Sequence, residues 1–421
     1  MGGFTVLQLG YGMQGKASLL DILSNKSISK VIVADISDEI WALSEKLKDQ
    51  RVEPVKLDMR DEPSLLELMR KSDVVIELLP GEYALPAAKL AAEAGVSLVS
   101  AMYLFNPGEK DEAKRKALKE ELSQLNEKAK SKGITILEEF GMDPGIDLIL
   151  GAKAVKELDE VKVFHSYGAG FPELKASSNP LRYKFTWSVI GVMRSYLRPA
   201  RIIEDGRVVD IPADSMFDEN NMHFLKLPEF ESKLECFANG DSVTFSEIFR
   251  LDNTISSMGR YICRWPGTGA FWRVMAKSGF LSNVPIMTKN GEIAPDSFCA
   301  ALLGGQEQFR YSEDERDVAL IRSDVRGYKG GEPVRIVLQI IDHRDLRSGL
   351  TAMQRTVGFP MSIGAQMILD GRIEQKGIVN PVDVPFEPFI EELEKRGIVY
   401  TGSTEKWDGD EKPEAGGVTE Y

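Results

Sequence analysis

The sequence predicts an α/β protein: a Rossmann-type doubly wound parallel sheet, followed by an α+β substrate/dimerisation domain. Three observations predict it. A G-x-G-x-x-G loop follows an apolar run at the start of the chain. Short apolar runs then alternate with helically spaced stretches as far as Leu137. After Gly145 that rhythm gives way to strands, loops and a few helices.

Phe4 to Leu9 is mostly apolar and reads as a buried parallel strand. Gly10-Tyr11-Gly12-Met13-Gln14-Gly15 follows, then Lys16 to Leu23 with Leu19, Leu20 and Leu23 on one helical face. Lys30 to Asp35 is a second strand ending in an acid. A G-x-G-x-x-G alone is weak. In strand–loop–helix–strand context, with an Asp twenty residues after its last glycine, it points to dinucleotide binding. Gly10 permits the tight turn, Gly12 lets backbone approach a pyrophosphate, and Gly15 lets helix and strand pack closely. The helix start offers N–H groups and a positive dipole end to phosphates. Asp35 suits the two hydroxyls of an adenosine ribose and would repel a 2′-phosphate, so NAD is the expected cofactor, with NADP disfavoured. The competing reading is a glycine-rich turn that holds no ligand.

The alternation continues in order. Ile40 to Lys48 reads as a helix, Val52 to Leu57 as a third strand closed by Asp58, and Pro63 to Met69 as a short helix. Asp73 to Pro80 is a fourth strand and its exit loop, Ala84 to Ala94 an Ala-rich helix, and Val96 to Ser100 a fifth strand. Glu109 to Lys132 is a long charged helix and Ile134 to Leu137 a sixth strand. Ligands on such sheets bind beyond the strand C-terminal ends. Leu79-Pro80, Ala101-Met102-Tyr103 and Phe140 to Gly145 are therefore expected near the nicotinamide. The expected cofactor-binding set is residues 10–15, Asp35, Asp58, Leu79 and Pro80. Ile146 to Leu158 and Phe271 to Ser278 read as helices, Ile336 to Ile341 as the clearest later strand, and Leu350 to Leu369 as helical again. The expected domains are 1–143 (dinucleotide-binding), 144–350 (α+β), 351–402 (a C-terminal helical segment) and 403–421, a polar, glycine-rich disordered tail.

Composition narrows the function. Against 52 Lys and Arg stand 65 Asp and Glu, a formal charge of −13, which argues against nucleic acid and anionic membranes as partners. An anionic substrate then has to be caught by local cations. Cys236, Cys263 and Cys299 form neither a disulfide framework nor a metal pattern, which fits a reducing compartment. His165, His223 and His343 are isolated and read as structural. No apolar run reaches transmembrane length, and no basic-then-apolar leader opens the sequence. A cytoplasmic location is expected.

Several side chains have the chemistry for a site. Asp143 and Asp147 lie in Gly141-Met142-Asp143-Pro144-Gly145-Ile146-Asp147, where a strand passes into a helix. Both suit proton transfer or orientation of an amine, but Asp143 also suits an N-cap and Asp147 a first helical turn. Tyr103 follows a strand end, where a phenol can donate to a substrate, or simply pack. Ser177 to Ser188 is dense in hydrogen-bonding side chains and reads as a binding loop or a surface turn. Arg260 and Arg264 share one side of a strand or helix; their guanidinium forks suit carboxylates, and they also suit a plain surface.

At these residues the chain resembles the saccharopine reductase and lysine 6-dehydrogenase group of amino-acid dehydrogenases, over nearly its whole length. Residues 141–147 look like the family's G-L-D-P-G-I-D. Asn179-Pro180-Leu181-Arg182-Tyr183-Lys184-Phe185-Thr186-Trp187-Ser188 is similar to N-P-L-G-Y-K-F-S-W-S. Thr356-Val357-Gly358-Phe359-Pro360 with Leu369-Asp370-Gly371 resembles T-V-G-Y-P and L-D-G. The resemblance implies lysine metabolism: hydride transfer from the carbon of a C–N bond, then imine hydrolysis, releasing glutamate and a semialdehyde from saccharopine. It implies Tyr103 and Asp143 as relay residues, and Asn179, Lys184, Arg260 and Arg264 as substrate-binding residues. There are departures. Gly168 stands where the reductase has a cysteine and Leu148 where it has a histidine. Asp35 and the run Ala200 to Gly206 look more like the NAD-using lysine 6-dehydrogenase branch. The alternatives to a glutamate-forming saccharopine dehydrogenase are thus an L-lysine 6-dehydrogenase and a dinucleotide-binding protein without catalysis.

Overall fold

The computed structural model describes residues 3–105, 109, 111–251, 254–410 and 412–413. The chain divides into two compact units, one of Met1–Ile149 with Gln354–Val399, the other of Leu150–Met353 with Tyr400–Tyr421.

The first unit is an alternation of strands and helices: β1 (Phe4–Leu9), α1 (Met13–Ser24), β2 (Ile28–Asp35), α2 (Leu43–Leu47), β3 (Val52–Lys56), α3 (Glu62–Arg70), β4 (Val74–Glu77), α4 (Ala84–Ala94), β5 (Ser97–Ser100), α5 (Glu112–Lys132) and β6 (Thr135–Leu137); α6 (Ile146–Lys156) begins in this unit and ends in the other. The sheet runs β3-β2-β1-β4-β5-β6, every pairing parallel. A parallel sheet is covered on both faces, and β4 is accordingly buried along its whole length. Ala84, Ala87, Ala88, Ala91 and Ala92 make a buried stripe of small side chains on α4. The charged α5 starts where Asp111 accepts from the Ala113 and Lys114 amides. Strand order reverses between β1 and β4, which makes that crevice the expected ligand position of the sheet. A short strand, Gly377–Val379, adds to β6 in parallel as a seventh member that the sequence reading did not foresee.

The second unit is a nine-stranded mixed sheet: β7 (Glu160–Pro172), β8 (Ala200–Glu204), β9 (Arg207–Ile211), β10 (Met222–Leu225), β11 (Leu234–Ala238) and β12 (Ser257–Arg264), then, after a separate hairpin of β13 (Ile286–Thr288) and β14 (Gly291–Ile293), β15 (Asp317–Lys329) and β16 (Glu332–His343). The central β7 is parallel to β12 and antiparallel to β15. Its core is aromatic, with Trp265, Trp272, Tyr167 and Tyr183 almost fully buried. The sheet closes on Tyr400–Lys406, antiparallel to β16, and Trp407 is buried with its ring 5.7 Å from that of Tyr328. This corrects the expectation that a disordered tail begins at Ser403: residues 403–406 are strand. As an edge strand with mostly exposed side chains, the segment carries polar residues and no apolar run. The last part of the expected tail, 414–421, lies outside the described residues. Among the described residues no helix is long and apolar enough to cross a membrane.

Candidate functional site

The glycine-rich loop of the first unit is built from the strand beneath it. Gln8, a fully buried amide within β1, donates from Nε2 to the carbonyls of Gly10 and Gly15, both at 3.0 Å. From β2, Asp35 accepts the Tyr11 amide at 2.6 Å and, with its other oxygen, the Ser37 amide at 2.8 Å. The loop is thereby fixed from two neighbouring strands before any ligand arrives. At Gly15 an added Cβ would stand 2.4 Å from the Gly10 carbonyl oxygen, so helix and strand approach only as glycine allows. At Gly12 a Cβ would meet nothing within 4 Å, and the N-terminus of α1 that it opens has no side-chain cap. Exposed backbone donors with open space before them fit a pyrophosphate.

Beside this loop lies a cavity of about 920 Å³ of empty space, counting its open mouth. Of the expected cofactor residues, Gly10, Gly12, Asp35, Asp58, Leu79 and Pro80 line it, whereas Tyr11, Met13, Gln14 and Gly15 do not. Glu82 and Tyr83 add to its wall without having been foreseen. The exposed Arg60 sits one residue beyond the Met59 wall, its guanidinium on Asp58. The hydrogen bonds that the Arg60 side chain and amide donate hold the Asp58 carboxyl down at about 2. These residues fit a dinucleotide, and Arg60 supplies a cation close to where β3 ends.

The remaining exit loops carry Tyr103 and Asp143. Ser100 ends β5, and its carbonyl accepts the Phe140 amide at 2.9 Å, while the Met102 carbonyl accepts the Glu139 amide at 3.2 Å. Backbone hydrogen bonds thus tie the Tyr103 loop to the start of the Asp143 loop. Asp143 lies three residues before the first residue of α6, Ile146. The buried Asp147 carboxylate accepts the Gly145 amide at 2.8 Å and organises that turn. Gly145 has φ 139°, and a Cβ there would lie 2.1 Å from the Gly141 oxygen. Two acids that sequence reasoning did not single out stand beneath these loops. Glu77, fully buried at the end of β4, accepts from the Leu79 amide at 2.7 Å and the Ser100 hydroxyl at 2.6 Å. The half-buried Glu138 accepts the Leu104 amide at 3.1 Å. Burial pushes both carboxyls up to about 7. A signal was present, since Glu77 interrupts an apolar strand.

In the second unit, all four expected substrate residues are buried. The Asn179 amide is fully engaged in its own loop: Nδ2 donates to the Tyr183 and Gln308 carbonyls, and Oδ1 accepts from the Leu181 and Tyr183 amides. Lys184 Nζ is held by both Glu315 oxygens at 2.6 Å. Arg260 lies 3.8 Å from the Phe245 ring centroid, and its strand register sets it beside Ser166 of β7, which is itself beside Ser323 of β15. Arg264 stacks 4.7 Å from the Tyr183 ring centroid and donates to the Tyr196 hydroxyl at 3.2 Å and the Cys263 carbonyl at 2.9 Å. Glu235, opposite Arg264 on β11, instead accepts the amides of Gly267 and Gly269. Tyr183 therefore joins the Asn179 loop to Arg264. Nearby, the Tyr311 hydroxyl is buried with no hydrogen-bond partner among the described residues. Cys236 and Cys263, scattered in sequence, face each other across β11 and β12 as free thiols, 3.0 Å apart.

Two family models match the chain. Residues 6–137 match the saccharopine dehydrogenase NADP binding domain, and residues 141–398 the saccharopine dehydrogenase C-terminal domain. The chain is 25% identical to a saccharopine dehydrogenase (NADP+, L-glutamate-forming) of Pyricularia oryzae, over 94% of this chain and 97% of that protein. It is 27% identical to an alpha-aminoadipic semialdehyde synthase of Arabidopsis thaliana, over 88% of this chain but 40% of that protein. It spans less than half the length of such synthases, 47% of the one from Bos taurus. The structure of saccharopine dehydrogenase (L-Glu forming) from Saccharomyces cerevisiae superposes with a TM-score of 0.79 at 24% identity, over 96% of this chain and all of that one.

The expectation of NAD over NADP is overturned: the matched domain is the family's NADP binding domain, and the Pyricularia relative is named for NADP+. The geometry supplies a reason. The sequence argument gave the Asp35 carboxylate to the ribose alone, but one of its oxygens accepts the Tyr11 amide of the glycine loop and the other the Ser37 amide just after β2. The two family domains follow one another along almost all of the sequence, and the chain belongs to the saccharopine dehydrogenase family.

Proposed function

We propose that the protein is an NADP-dependent oxidoreductase that oxidises the C–N bond of saccharopine, or of a close relative, and releases L-glutamate and a semialdehyde. The observation that carries this reading is the match of both family domains, in order, on a chain that also spans 97% of a curated saccharopine dehydrogenase. A nicotinamide dinucleotide, when bound, supplies the hydride acceptor. The chain does the rest. The loop held by Gln8 and Asp35 presents its amides to the phosphates. Tyr103 and Asp143, on the exit loops of β5 and β6, are the groups we assign to proton relay at the substrate nitrogen and the attacking water. Arg264 is the cation we assign to a substrate carboxylate: it is 4% exposed, and no carboxylate among the described residues pairs with it. Asn179 and Lys184, engaged as they are within the second unit, are assigned to hold the Asn179 loop in place, and Arg260 remains a second candidate for a carboxylate. We further read the protein as a cytoplasmic homodimer acting on a small-molecule amino acid. The test is NADP reduction by the purified protein with saccharopine and with lysine in parallel. Turnover of saccharopine supports the proposal; turnover of lysine alone, or of neither, defeats it.

A further inference from the structure

Strand β4 reads Val74-Val75-Ile76-Glu77, and all four side chains are buried. An acid is out of keeping with a strand buried on both faces. Buried carboxylates are disfavoured unless their oxygens find donors. Burial also raises Glu77 to about 7, so the acid weakens the fold around neutral pH. Its retention calls for another role, and its hydrogen bonds indicate one.

Glu77 pairs directly with Ser100 in the sheet register. One carboxylate oxygen accepts the Leu79 amide, and Leu79 lines the dinucleotide cavity. The other accepts the Ser100 hydroxyl, whose own oxygen accepts the Met102 amide at 3.0 Å. On the far side of the same loop, Glu138 accepts the Leu104 amide. Tyr103 stands between these two anchored amides. We propose that Glu77 is a positioning residue that couples the cofactor-cavity wall at Leu79 to the placement of Tyr103, with Glu138 closing the loop from the other side. The proposal rests on the assignment of Tyr103 to the relay. It adds a linkage: filling of the dinucleotide cavity and orientation of the phenol are set through one carboxyl group.

The test uses the full chain with NADP and saccharopine, and compares Glu77→Ala, Glu77→Gln, Tyr103→Phe and the Glu77→Ala/Tyr103→Phe double variant. Glu77→Ala removes both acceptors, and is expected to raise the NADP Kd about three- to ten-fold and to lower kcat about ten-fold or more. Glu77→Gln keeps an oxygen for the Leu79 amide, so its Kd should stay within about two-fold of wild type. In the Tyr103→Phe background, Glu77→Ala should change kcat by less than about two-fold, because residues acting through one another are not additive. If Tyr103→Phe keeps wild-type kcat, the relay assignment falls and the proposal with it. If Tyr103→Phe is impaired and Glu77→Ala lowers kcat by the same factor in both backgrounds, the relay stands and the positioning role is wrong. An unchanged NADP Kd in Glu77→Ala likewise overturns the link to the cavity. Should Glu77→Ala not fold, amide hydrogen exchange at residues 102–104 in Glu77→Gln decides. Faster exchange than wild type is expected, and unchanged exchange refutes the coupling.

Discussion

Arg264 lies against the ring of Tyr183, with 4.7 Å between its guanidinium carbon and the ring centroid, in a site where it is only 4% exposed. The stack fixes the plane of the fork, and the Tyr196 hydroxyl fixes its direction at Nε. Buried charges are normally neutralised, and the acid opposite, Glu235, is engaged elsewhere. Under the proposed function, a substrate carboxylate is the group assigned to complete this arrangement.

Arg264→Ala is accordingly expected to raise KM for saccharopine about ten-fold or more, since a charge-assisted hydrogen bond contributes about 1.5–3 kcal/mol. Arg264→Lys should recover only part of this, because the fork and the stack are both lost. Steady-state kinetics of the two variants settles it; a wild-type KM in both would leave Arg264 as a packing residue alone.

Asp143 lies before the first residue of α6, Ile146, in the turn where Asp147 accepts the Gly145 amide. Asn has nearly the same shape as Asp and keeps an acceptor oxygen, so Asp143→Asn is expected to leave the melting temperature nearly unchanged while lowering kcat about 10²-fold or more, within the range of lost acid–base help. Equal kcat for the variant and wild type would remove Asp143 from the chemistry.

The buried carboxyls also set a pH dependence. Burial raises Glu77 from an ordinary 4.5 to about 7, and its hydrogen bonds with Ser100 and Leu79 pull the other way. A carboxyl whose folded-state pKa is raised binds its proton more tightly when folded. Its contribution is fully present below about 4.5 and is lost as pH rises through about 7. At about 1.4 kcal/mol per unit, the loss approaches 3 kcal/mol for Glu77; Glu138 acts in the same direction, less strongly because it is half-exposed. Urea unfolding should therefore show Glu77→Gln gaining stability over wild type at about pH 8 but not at about pH 4, the gap opening between the two. A gap independent of pH would show that the carboxyl does not titrate in this window.

The fold was legible where physics writes it in contiguous residues. A sheet buried on both faces requires apolar runs, and β1 to β6 announced themselves that way; α4 was bounded at Ala84 and Ala94 by composition alone. Tyr400–Lys406 was missed because an exposed edge strand needs no apolar face, and Gly377–Val379 because three residues carry no period. Within the site, the glycine loop and Asp35 could be read from spacing. What Asp35 does could not, because its partner Tyr11 lies 24 residues away and offers a backbone amide, which no side-chain pattern encodes. Glu77 stood in plain view as an acid in an apolar strand, but its meaning depends on Ser100 in the next strand.

The cofactor correction has its own test, because two pictures of Asp35 make opposite predictions. If the carboxylate acts mainly by repelling a 2′-phosphate, Asp35→Ala should strengthen NADP binding. In the structure, however, Asp35 supports the loop: one oxygen holds the Tyr11 amide of the glycine turn after β1 and the other the Ser37 amide after β2. Removing it frees the Tyr11 amide and loosens the glycine turn, leaving the Gln8 side chain and the Gly10 amide's bond to the Ala34 carbonyl to hold it. Each lost hydrogen bond is worth about 0.5–1.5 kcal/mol, so Asp35→Ala should weaken NADP binding roughly three- to ten-fold. Asp35→Asn keeps one acceptor and should fall between the variant and wild type. Calorimetric titration of NADP into the three proteins measures this directly, and tighter binding by Asp35→Ala would restore repulsion as the dominant effect of that carboxylate.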